Sequence, residues 1–383
     1  MKVLIAPDKF KGTLTAREAA QAIARGWQRA RPADQLDLLP ISDGGDGFGV
    51  VMSERLNASP QRTKTVDAAH LPCVATWWWD AKSKTAIVES ARVIGLAMLP
   101  PGKFHPFALD TFGLGAVLRA AKRRGARQII VGIGGSATND GGFGVARALG
   151  WRFVDAEGND LKCWTGLQAL AMIRAPKPRK FPRVIVAVDV QNELLGARGA
   201  TRIYGPQKGI RPEDFELAES CLRRLALVFK RQTSGDVGHL RGTGAAGGLG
   251  FGLKAFASAQ LAPGFDLFAR QAQLHRQVRK ADLVITGEGA LDDSTVMGKG
   301  VGELARACRK LKIPCLGLAG RAVRTRAVKK LFHVVEGLTD FLPVKVALRG
   351  PEKNLARLAE RVGANWKQQR LAPGSRRRIP FHA

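Results

Sequence analysis

The chain of 383 residues has few cysteines, and their spacing matches neither a disulfide framework nor a metal site. The five cysteines are odd in number and never occur as Cys-x-x-Cys, which argues against structural cross-links and against zinc. The six histidines are dispersed without the spacing of metal ligands. Unpaired cysteines are typical of reducing compartments, so the composition favours a cytoplasmic protein.

Long apolar runs are also missing. The first apolar stretch, residues 3–6, reaches Pro7 and Asp8 at once, and is too short for the apolar region of a signal peptide. No later run has the length that a bilayer-spanning helix needs. We therefore expect no membrane partner.

Acidic residues are scarce relative to basic ones. The chain has 61 Lys and Arg against 32 Asp and Glu, a net charge of +29, which raises nucleic acid as a partner. The basic residues are spread over predicted helices, as on solvated faces, and the one basic run, residues 375–378, lies in a tail (369–383) that we predict to be disordered. Nucleic-acid binding is kept as a distant alternative only, and no nucleic-acid partner is expected.

The sequence supports neither of two familiar nucleotide-binding motifs, the dinucleotide-binding glycine pattern and the Walker A loop. Residues 132–137 and 242–247 fit the glycine pattern of dinucleotide-binding folds, but the first runs on into a polar loop and the second lacks a preceding strand. A Walker A loop is absent because Lys299 is followed by glycine and has no glycine five residues before it.

The sequence does contain glycine-rich loops that carry polar and acidic residues. The longest, residues 134–142, follows the apolar run 128–133 and leads into a predicted helix. Glycine permits close approach of the backbone to a ligand, and a helix N-terminus attracts anions, so the loop predicts phosphate binding; an ordinary turn is the alternative. The candidate binding residues in it are Gly134, Gly135, Ser136, Thr138, Asn139 and Asp140.

Two further loops have the same character. Residues 242–250 precede a predicted helix, and residues 286–293 follow the predicted strand 283–285. Three such loops in one chain favour a polyphosphate site assembled from distant segments, and hence a nucleotide-using enzyme. They add Gly244, Gly247 and Gly287 to the candidate binding residues, and Lys299 is added because the last loop runs on to residues 298–300.

The predicted elements alternate between strand and helix. Strands are predicted over residues 3–6, 35–41, 184–188, 283–286, 315–319 and 333–336. Such alternation predicts an α/β fold with parallel strands and with ligands at their carboxyl ends. We predict two α/β domains, a Rossmann-like or flavodoxin-like one from residues 1–95 and 280–383 and a second one, residues 96–279, inserted in it, with the active site between them.

Phosphoryl transfer requires a carboxylate that orients or deprotonates the attacking hydroxyl, and acids that hold Mg²⁺. Asp189, at the end of the predicted strand 184–188, is the candidate base, with turn capping as the alternative. Asp43, Asp46 and Glu288 lie in loops and are the candidate ligands of the metal or the substrate.

Lysines inside glycine- and proline-containing loops are the candidate cations. Lys9, Lys11 and Lys208 are assigned to a substrate carboxylate or the transferring phosphate, with a solvated lysine as the alternative for each. Lys9 and Lys208 are the two that we expect to be catalytic. Asp8, beside Lys9, is added as a binding residue.

Several segments together resemble the signatures of the class I glycerate kinase family. They occur in the family's order over nearly the whole chain, at residues 6–14, 43–47, 134–142, 194–196, 199–201, 205–209, 244–248 and 286–289. The resemblance implies a two-domain α/β kinase that phosphorylates D-glycerate from ATP with Mg²⁺, usually at the 2-hydroxyl in this class. The oligomeric state stays open, with a homodimer as one candidate.

The chain also departs from the family's pattern. Ala290 stands where the family commonly has Arg, Ser294 stands where it has Gln, and residues 69–72 replace the usual Gly-Pro-Leu-Gly. The first two changes remove a cation and an amide near the expected site. A kinase for another hydroxy acid or sugar acid, or one acting on the 3-hydroxyl, is therefore the alternative.

Overall fold

The computed structural model describes residues 1–177, 180–233, 235–296 and 300–366. Its strands are β1 (Lys2–Ile5), β2 (Gln35–Leu38), β3 (Ser59–Val66), β4 (Pro72–Asp80), β5 (Thr85–Glu89), β6 (Gln128–Gly132), β7 (Arg152–Val154), β8 (Met172–Arg174), β9 (Arg183–Val188), β10 (Gln260–Pro263), β11 (Leu283–Leu291), β12 (Cys315–Ala322) and β13 (Val334–Gly337). Its helices are α1 (Ala16–Ala30), α2 (Phe48–Leu56), α3 (Ala91–Ile94), α4 (Phe112–Arg123), α5 (Phe143–Ala148), α6 (Ala200–Lys208), α7 (Phe215–Thr233), α8 (Ala245–Phe256), α9 (Gly264–Gln271), α10 (Leu274–Lys280), α11 (Asp293–Val296), α12 (Gly300–Leu311), α13 (Arg326–Leu331), α14 (Val344–Ala347) and α15 (Pro351–Asn365).

The first sheet joins the two ends of the chain. Its strand order is β13-β12-β11-β1-β2 and every pairing is parallel, with Val3 opposite Leu283. The central strands are buried on both faces, which is why β1 reads as a continuous apolar run. Helix α1 covers one face and packs against α15, where Trp27 is fully buried. Thr15 begins α1 as the N-cap of a capping box with Glu18.

The second sheet is mixed, with the strand order β10-β9-β6-β5-β4-β3. Strands β10 to β5 are parallel, and β4 and β3 extend the sheet as an antiparallel hairpin. Ile87, Ile130 and Ile185 lie side by side on β5, β6 and β9 and face one shared core. This core continues into the first sheet through Phe48 of α2 and Phe268 of α9.

A parallel sheet and a mostly parallel mixed sheet, both with packed helices, confirm the predicted α/β class. Strands β3 to β5, residues 59–89, pair in the second sheet, although the predicted boundary at residue 95 grouped them with the terminal segments. Sheet pairing depends on distant partners, so reading along the chain cannot fix it. The extents of the two domains otherwise stay a prediction.

Strand β11 is longer than predicted. The sequence indicated a loop over residues 286–293, but the strand runs to Leu291 and pairs with β12 as far as Leu291 opposite Ala322. The described residues include no helix that is long and apolar enough to cross a membrane. The predicted disordered tail, residues 369–383, lies outside the described residues, as does Lys299.

Candidate active site

A short acidic segment after β2, residues 42–48, lies between the carboxyl ends of the two sheets; we call it the acid loop. Its Gly44 packs against Ala187 near the end of β9, and its Gly45 packs against Gly134. A Cβ atom on Gly134 would lie 2.6 Å from the Gly45 Cα, so glycine is required for this approach. The acid loop therefore follows a strand of the first sheet and contacts the second sheet. We call the space between the carboxyl ends of the two sheets the cleft.

Three carboxylates from the first-sheet side interact electrostatically. Asp8, after β1, is buried, and its Oδ1 accepts a hydrogen bond from the Lys9 amide at 2.7 Å. Burial, followed by the charge of Asp43 and, more weakly, that of Glu288, raises the pKa of Asp8 to about 8. Asp43 is half-buried in the acid loop, and Glu288 is half-buried on β11. These three predicted residues therefore belong to one site.

Asp189 faces the same cleft from the second sheet, directly after β9. The residue is exposed to solvent, while protein atoms surround much of its carboxylate. Burial and then the charges of Asp43 and Asp46 raise its pKa to about 6, and Lys9 opposes this rise. The predicted base thus lies within electrostatic range of the acid loop.

Lys9 is a cation placed among these carboxylates. It is half-buried, and its Nζ donates a hydrogen bond to the Asp46 carbonyl at 3.1 Å. Its charge lowers the pKa of both Asp8 and Asp189 against the opposing effects of burial. The structure therefore gathers six predicted residues that follow β1, β2 and β9 or lie within β11: Asp8, Lys9, Asp43, Asp46, Asp189 and Glu288.

The predicted metal ligands do not form a closed cage. Among the described residues, no group of three or more His, Cys, Asp or Glu side chains is arranged to hold a metal ion. Mg²⁺ commonly uses one or two carboxylates together with substrate phosphates and water. The oxygen donors of Asp43, Asp46 and Glu288 fit that mode of binding.

A cavity of about 460 Å³ opens beside the acid loop. Its wall includes Asp8, Lys9 and Lys11, the polar Asp46, and the guanidinium-bearing Arg92. Apolar side chains such as Ile41 and Val51 complete the wall. The volume lies in the range of small-molecule sites.

The glycine loop, residues 134–142, behaves differently from the acid loop. Asp140 is fully buried, and its carboxylate accepts four hydrogen bonds: from the Thr111 amide at 2.9 Å, the Thr111 hydroxyl at 2.7 Å, the Gly142 amide at 3.1 Å and the Gly144 amide at 2.9 Å. Burial and then the charge of Asp110 raise its pKa to about 6. The structure does not bring Asp140 to the cleft, because its carboxylate is used inside the protein to hold the start of α5.

Other members of the glycine loop are divided between the cleft and the interior. Gly135 is exposed, and a Cβ atom there would overlap Oδ1 of Asp46. Ser136 and Thr138 are buried, and their hydroxyls lie 2.8 Å apart in a hydrogen bond. Gly134 and Gly135 are therefore the part of this loop nearest the acid loop.

Lys208 lies behind the glycine loop rather than among the cleft carboxylates. Its buried Nζ donates to the Thr138 carbonyl at 2.6 Å, and a Cβ atom on Gly247 would lie 2.8 Å from that Nζ. Burial lowers the pKa of Lys208 to about 7, against the opposing charge of Asp140. Nearby Asn139 donates to Thr201 Oγ1 at 3.0 Å, and its own buried Oδ1 has no partner among the described residues.

The remaining predicted glycines have packing roles in the structure. Gly244 is the N-cap of α8, where an added Cβ atom would overlap the Glu193 carbonyl, and Gly287 lies within β11 against Leu318. Helix α8 contains left-handed backbone at Ala246 and Gly247, which lets its first turn meet the glycine loop. These contacts explain the glycines without a ligand.

Sequence reasoning missed two groups near the cleft. Tyr204, the only tyrosine in the chain, donates to Asn192 Oδ1 at 2.6 Å, and burial and the charge of Asp189 raise its pKa to about 12. Glu89 is buried and accepts from the amides of Gly47 and Gly49 at 2.8 and 3.0 Å, which fixes the start of α2. Neither residue lies in a glycine motif; the one available signal was that tyrosine is so rare in this chain.

Comparison with known proteins gives a consistent result. The model of the "Glycerate kinase family" matches residues 3–367. The glycerate 2-kinase of Escherichia coli (strain K12) is 35% identical over 374 residues, which covers 95% of this chain and 97% of that protein. The glycerate kinase of Halalkalibacterium halodurans is 38% identical over 322 residues, 83% of this chain and 85% of that protein. A crystal structure described as glycerate kinase 2 from Salmonella typhimurium LT2 has a TM-score of 0.80 at 34% identity and covers 95% of this chain and 97% of its own.

Proposed function

This chain belongs to the glycerate kinase family and is a phosphotransferase, and we propose that it transfers the γ-phosphoryl group of ATP to the 2-hydroxyl of D-glycerate. The observation that carries the proposal is the meeting of Asp189 with the acid loop and Lys9 at the carboxyl ends of strands from both sheets. Ligands of open α/β sheets bind at such ends. The neighbouring cavity of about 460 Å³ has room for substrate groups.

In this proposal Asp189 accepts the proton of the attacking hydroxyl. A pKa of about 6 leaves its carboxylate largely ionised at neutral pH and makes it a better proton acceptor than an ordinary aspartate. Its exposure gives a substrate access to the carboxylate. Lys9, which lies beside Asp46, is the proposed cation for the transferring phosphate.

One or two of the carboxylates Asp43, Asp46 and Glu288 would hold Mg²⁺, together with phosphate oxygens of ATP and water. The bound ion would neutralise negative charge on the phosphate oxygens of ATP. The fit rests on the hard oxygen donors of the site and on an excess of carboxylates over cations around Asp8. Lys11 and Arg92, both in the cavity wall, are the proposed partners of the glycerate carboxylate.

We also propose that Lys208 contributes to catalysis, but only by positioning the glycine loop. Its hydrogen bond to the Thr138 carbonyl supports a role in positioning the glycine loop. The unpartnered Oδ1 of Asn139 lies in the same buried cluster. Both groups would act through the loop and not by direct contact with Asp189.

The departures from the family bear on substrate choice. Ala290 lies opposite Arg321 in the parallel pairing of β11 with β12, and Arg321 is exposed. An arginine on the adjacent strand supports the proposal that the missing cation is supplied from β12. The cytoplasmic location and the homodimer stay predictions.

The test is the reaction of purified protein with ATP, Mg²⁺ and D-glycerate, with the product identified by ³¹P NMR. We expect ADP and 2-phosphoglycerate. Formation of 3-phosphoglycerate would contradict the proposed hydroxyl. No product from D-glycerate, with product from another hydroxy acid in a substrate panel, would support the alternative in which Ala290 and Ser294 have changed the specificity.

A further inference from the structure

A second cavity, of about 820 Å³, lies at the opposite edge of the six-stranded sheet. Its wall includes Arg183 at the start of β9 and Ser258 just before β10. These are the amino ends of the parallel strands, whereas Asp189 and the acid loop lie at carboxyl ends. The cavity is therefore separate from the candidate active site, and the proposed kinase reaction gives it no role.

Five cations line this cavity, and its lining includes no Asp or Glu: Arg119, Lys122, Arg123, Lys177 and Arg183. The contacts that three of them make are with neutral groups. Arg119 donates to the Ala148 carbonyl, Lys122 lies 5.3 Å from the ring centre of Phe181, and Arg183 donates to Gln260 Oε1 at 2.7 Å. The positive charge of the wall is thus available to a ligand.

The clustering of these cations costs stability. Arg119 and Arg123 are one turn apart on α4, and like charges at that spacing are destabilising. Burial and then the charge of Arg123 lower the pKa of Arg119. The dipole at the end of α4 favours cations in its last turn, but Lys177 and Arg183 belong to other segments. An anionic ligand would relieve the repulsion between all three segments.

Aromatic rings form another part of the wall. Trp151 and Phe181 are half-buried and present ring surface, and Phe256 packs edge-on against Trp151 with ring centres 5.1 Å apart. Cations combined with exposed ring faces are the groups that bind a phosphate and a stacked base together. The cavity volume lies in the range of small-molecule sites rather than of an extended groove.

We propose that this cavity is a second anion site that binds a nucleoside phosphate. The cations contact the phosphate, and the ring of Trp151 stacks on the base. The site is distinct from the one that serves phosphoryl transfer. It also gives a specific partner to part of the net charge of +29.

The test is calorimetric titration of the full chain with ADP as the probe, at low and at moderate salt. The cavity variant is Lys122→Glu with Arg183→Glu. The matched control is Arg124→Glu with Arg127→Glu, which makes the same change in net charge at exposed positions that do not line this cavity. We expect one binding component to weaken by about 10-fold or more in the cavity variant, because two positive charges that contact the phosphate become negative. That component should persist in the control.

The comparison between the two variants does not depend on whether the active site also binds the probe. Equal weakening in both variants would overturn the proposal, because it would indicate general electrostatic attraction. No weakening in either would also overturn it, as would binding of a single-stranded oligonucleotide without binding of ADP. The milder pair Lys122→Gln with Arg183→Gln should show a smaller loss of the same component, and it replaces the charge-reversed pair if that pair does not fold.

Discussion

The acid loop, residues 42–48, and the glycine loop, residues 134–142, look alike in sequence and differ in the structure. Each carries a carboxylate between glycines and leads into a helix. Asp46 of the first is exposed, and Asp140 of the second is fully buried. The two loops touch at Gly45 and Gly134, so the difference arises within one small region.

The two carboxylates differ in burial, and therefore in how many hydrogen bonds from the protein they need. A buried carboxylate is stable only when hydrogen bonds replace its lost water, and Asp140 has four. Asp43 accepts one from the Gly45 amide at 3.2 Å and keeps capacity for a ligand. Glycine beside an acid therefore indicates a tight turn, and burial decides whether the acid supports the fold or meets a substrate.

Removal of Asp140 should have the largest effect among the changes that test this difference between the two loops. Asp140→Ala leaves the buried amides of Thr111, Gly142 and Gly144 without their acceptor, and each such loss costs about 1–3 kcal/mol. We expect the free energy of unfolding to fall by about 3 kcal/mol or more, as measured by urea denaturation. Asp46→Ala is the control and should stay within about 0.5 kcal/mol of wild type. Similar free energies of unfolding for the two variants would contradict the claim that Asp140 supports the fold and Asp46 does not.

The reverse effect is expected for activity. Asp46→Asn removes a proposed ligand of Mg²⁺ without creating a buried defect, because the side chain is exposed. We expect kcat/KM to fall by about 100-fold, which corresponds to about 3 kcal/mol of transition-state stabilisation, with unfolding unchanged. Steady-state kinetics at saturating Mg²⁺ measure the change. Activity within a few-fold of wild type would remove Asp46 from the site.

The burial of Lys208 behind the glycine loop can be tested through the pH dependence of the free energy of unfolding. Its pKa in the folded state, about 7, lies below the ordinary value of 10.5. Between these values the unfolded state binds more protons, so the free energy of unfolding rises with pH, by up to about 1.4 kcal/mol per pH unit. Lys208→Met should lose this rise above pH 7. Lys11→Met, at an exposed position, is the control, and equal slopes in all three proteins would contradict the burial of the Lys208 amine.

Tyr204 gives the smallest expected effect. It lies on α6 one turn before Lys208, and its hydroxyl connects the helix to Asn192 beside the cleft. Tyr204→Phe removes one hydrogen bond and should lower the free energy of unfolding by about 1 kcal/mol. A double-mutant cycle with Asn192→Ala measures the coupling. A coupling energy near zero would show that this hydrogen bond does not hold α6 to the cleft.

Much of the fold could be predicted because local patterns determine it. The apolar run after Lys2 and the Thr15 to Glu18 capping box specify β1 and the start of α1 through neighbouring residues. The continuation of β11 to Leu291 could not be read in the same way, because it depends on pairing with β12. The assignment of residues 59–89 to the second sheet likewise depends on β6, almost 40 residues farther along the chain.

In the candidate site, too, the residues set by local patterns could be predicted, and those set by distant contacts could not. Asp189 and the acid loop could be predicted because each follows a strand of a parallel arrangement, and ligands bind at the carboxyl ends of such strands. The burial of Asp140 could not, since its partner Thr111 lies 29 residues away in sequence. Tyr204 was missed because it lies within a helix and reaches Asn192 only after α6 has packed.

The role of Asp189 as the base is tested by the single-turnover rate of Asp189→Asn with ATP, Mg²⁺ and D-glycerate. We expect this rate to decrease by about 10²- to 10⁴-fold, the range for the loss of a general base, with the free energy of unfolding unchanged. A folded Asp189→Asn protein that transfers phosphate within a few-fold of the wild-type rate would contradict the claim that the cleft carboxylates perform the chemistry.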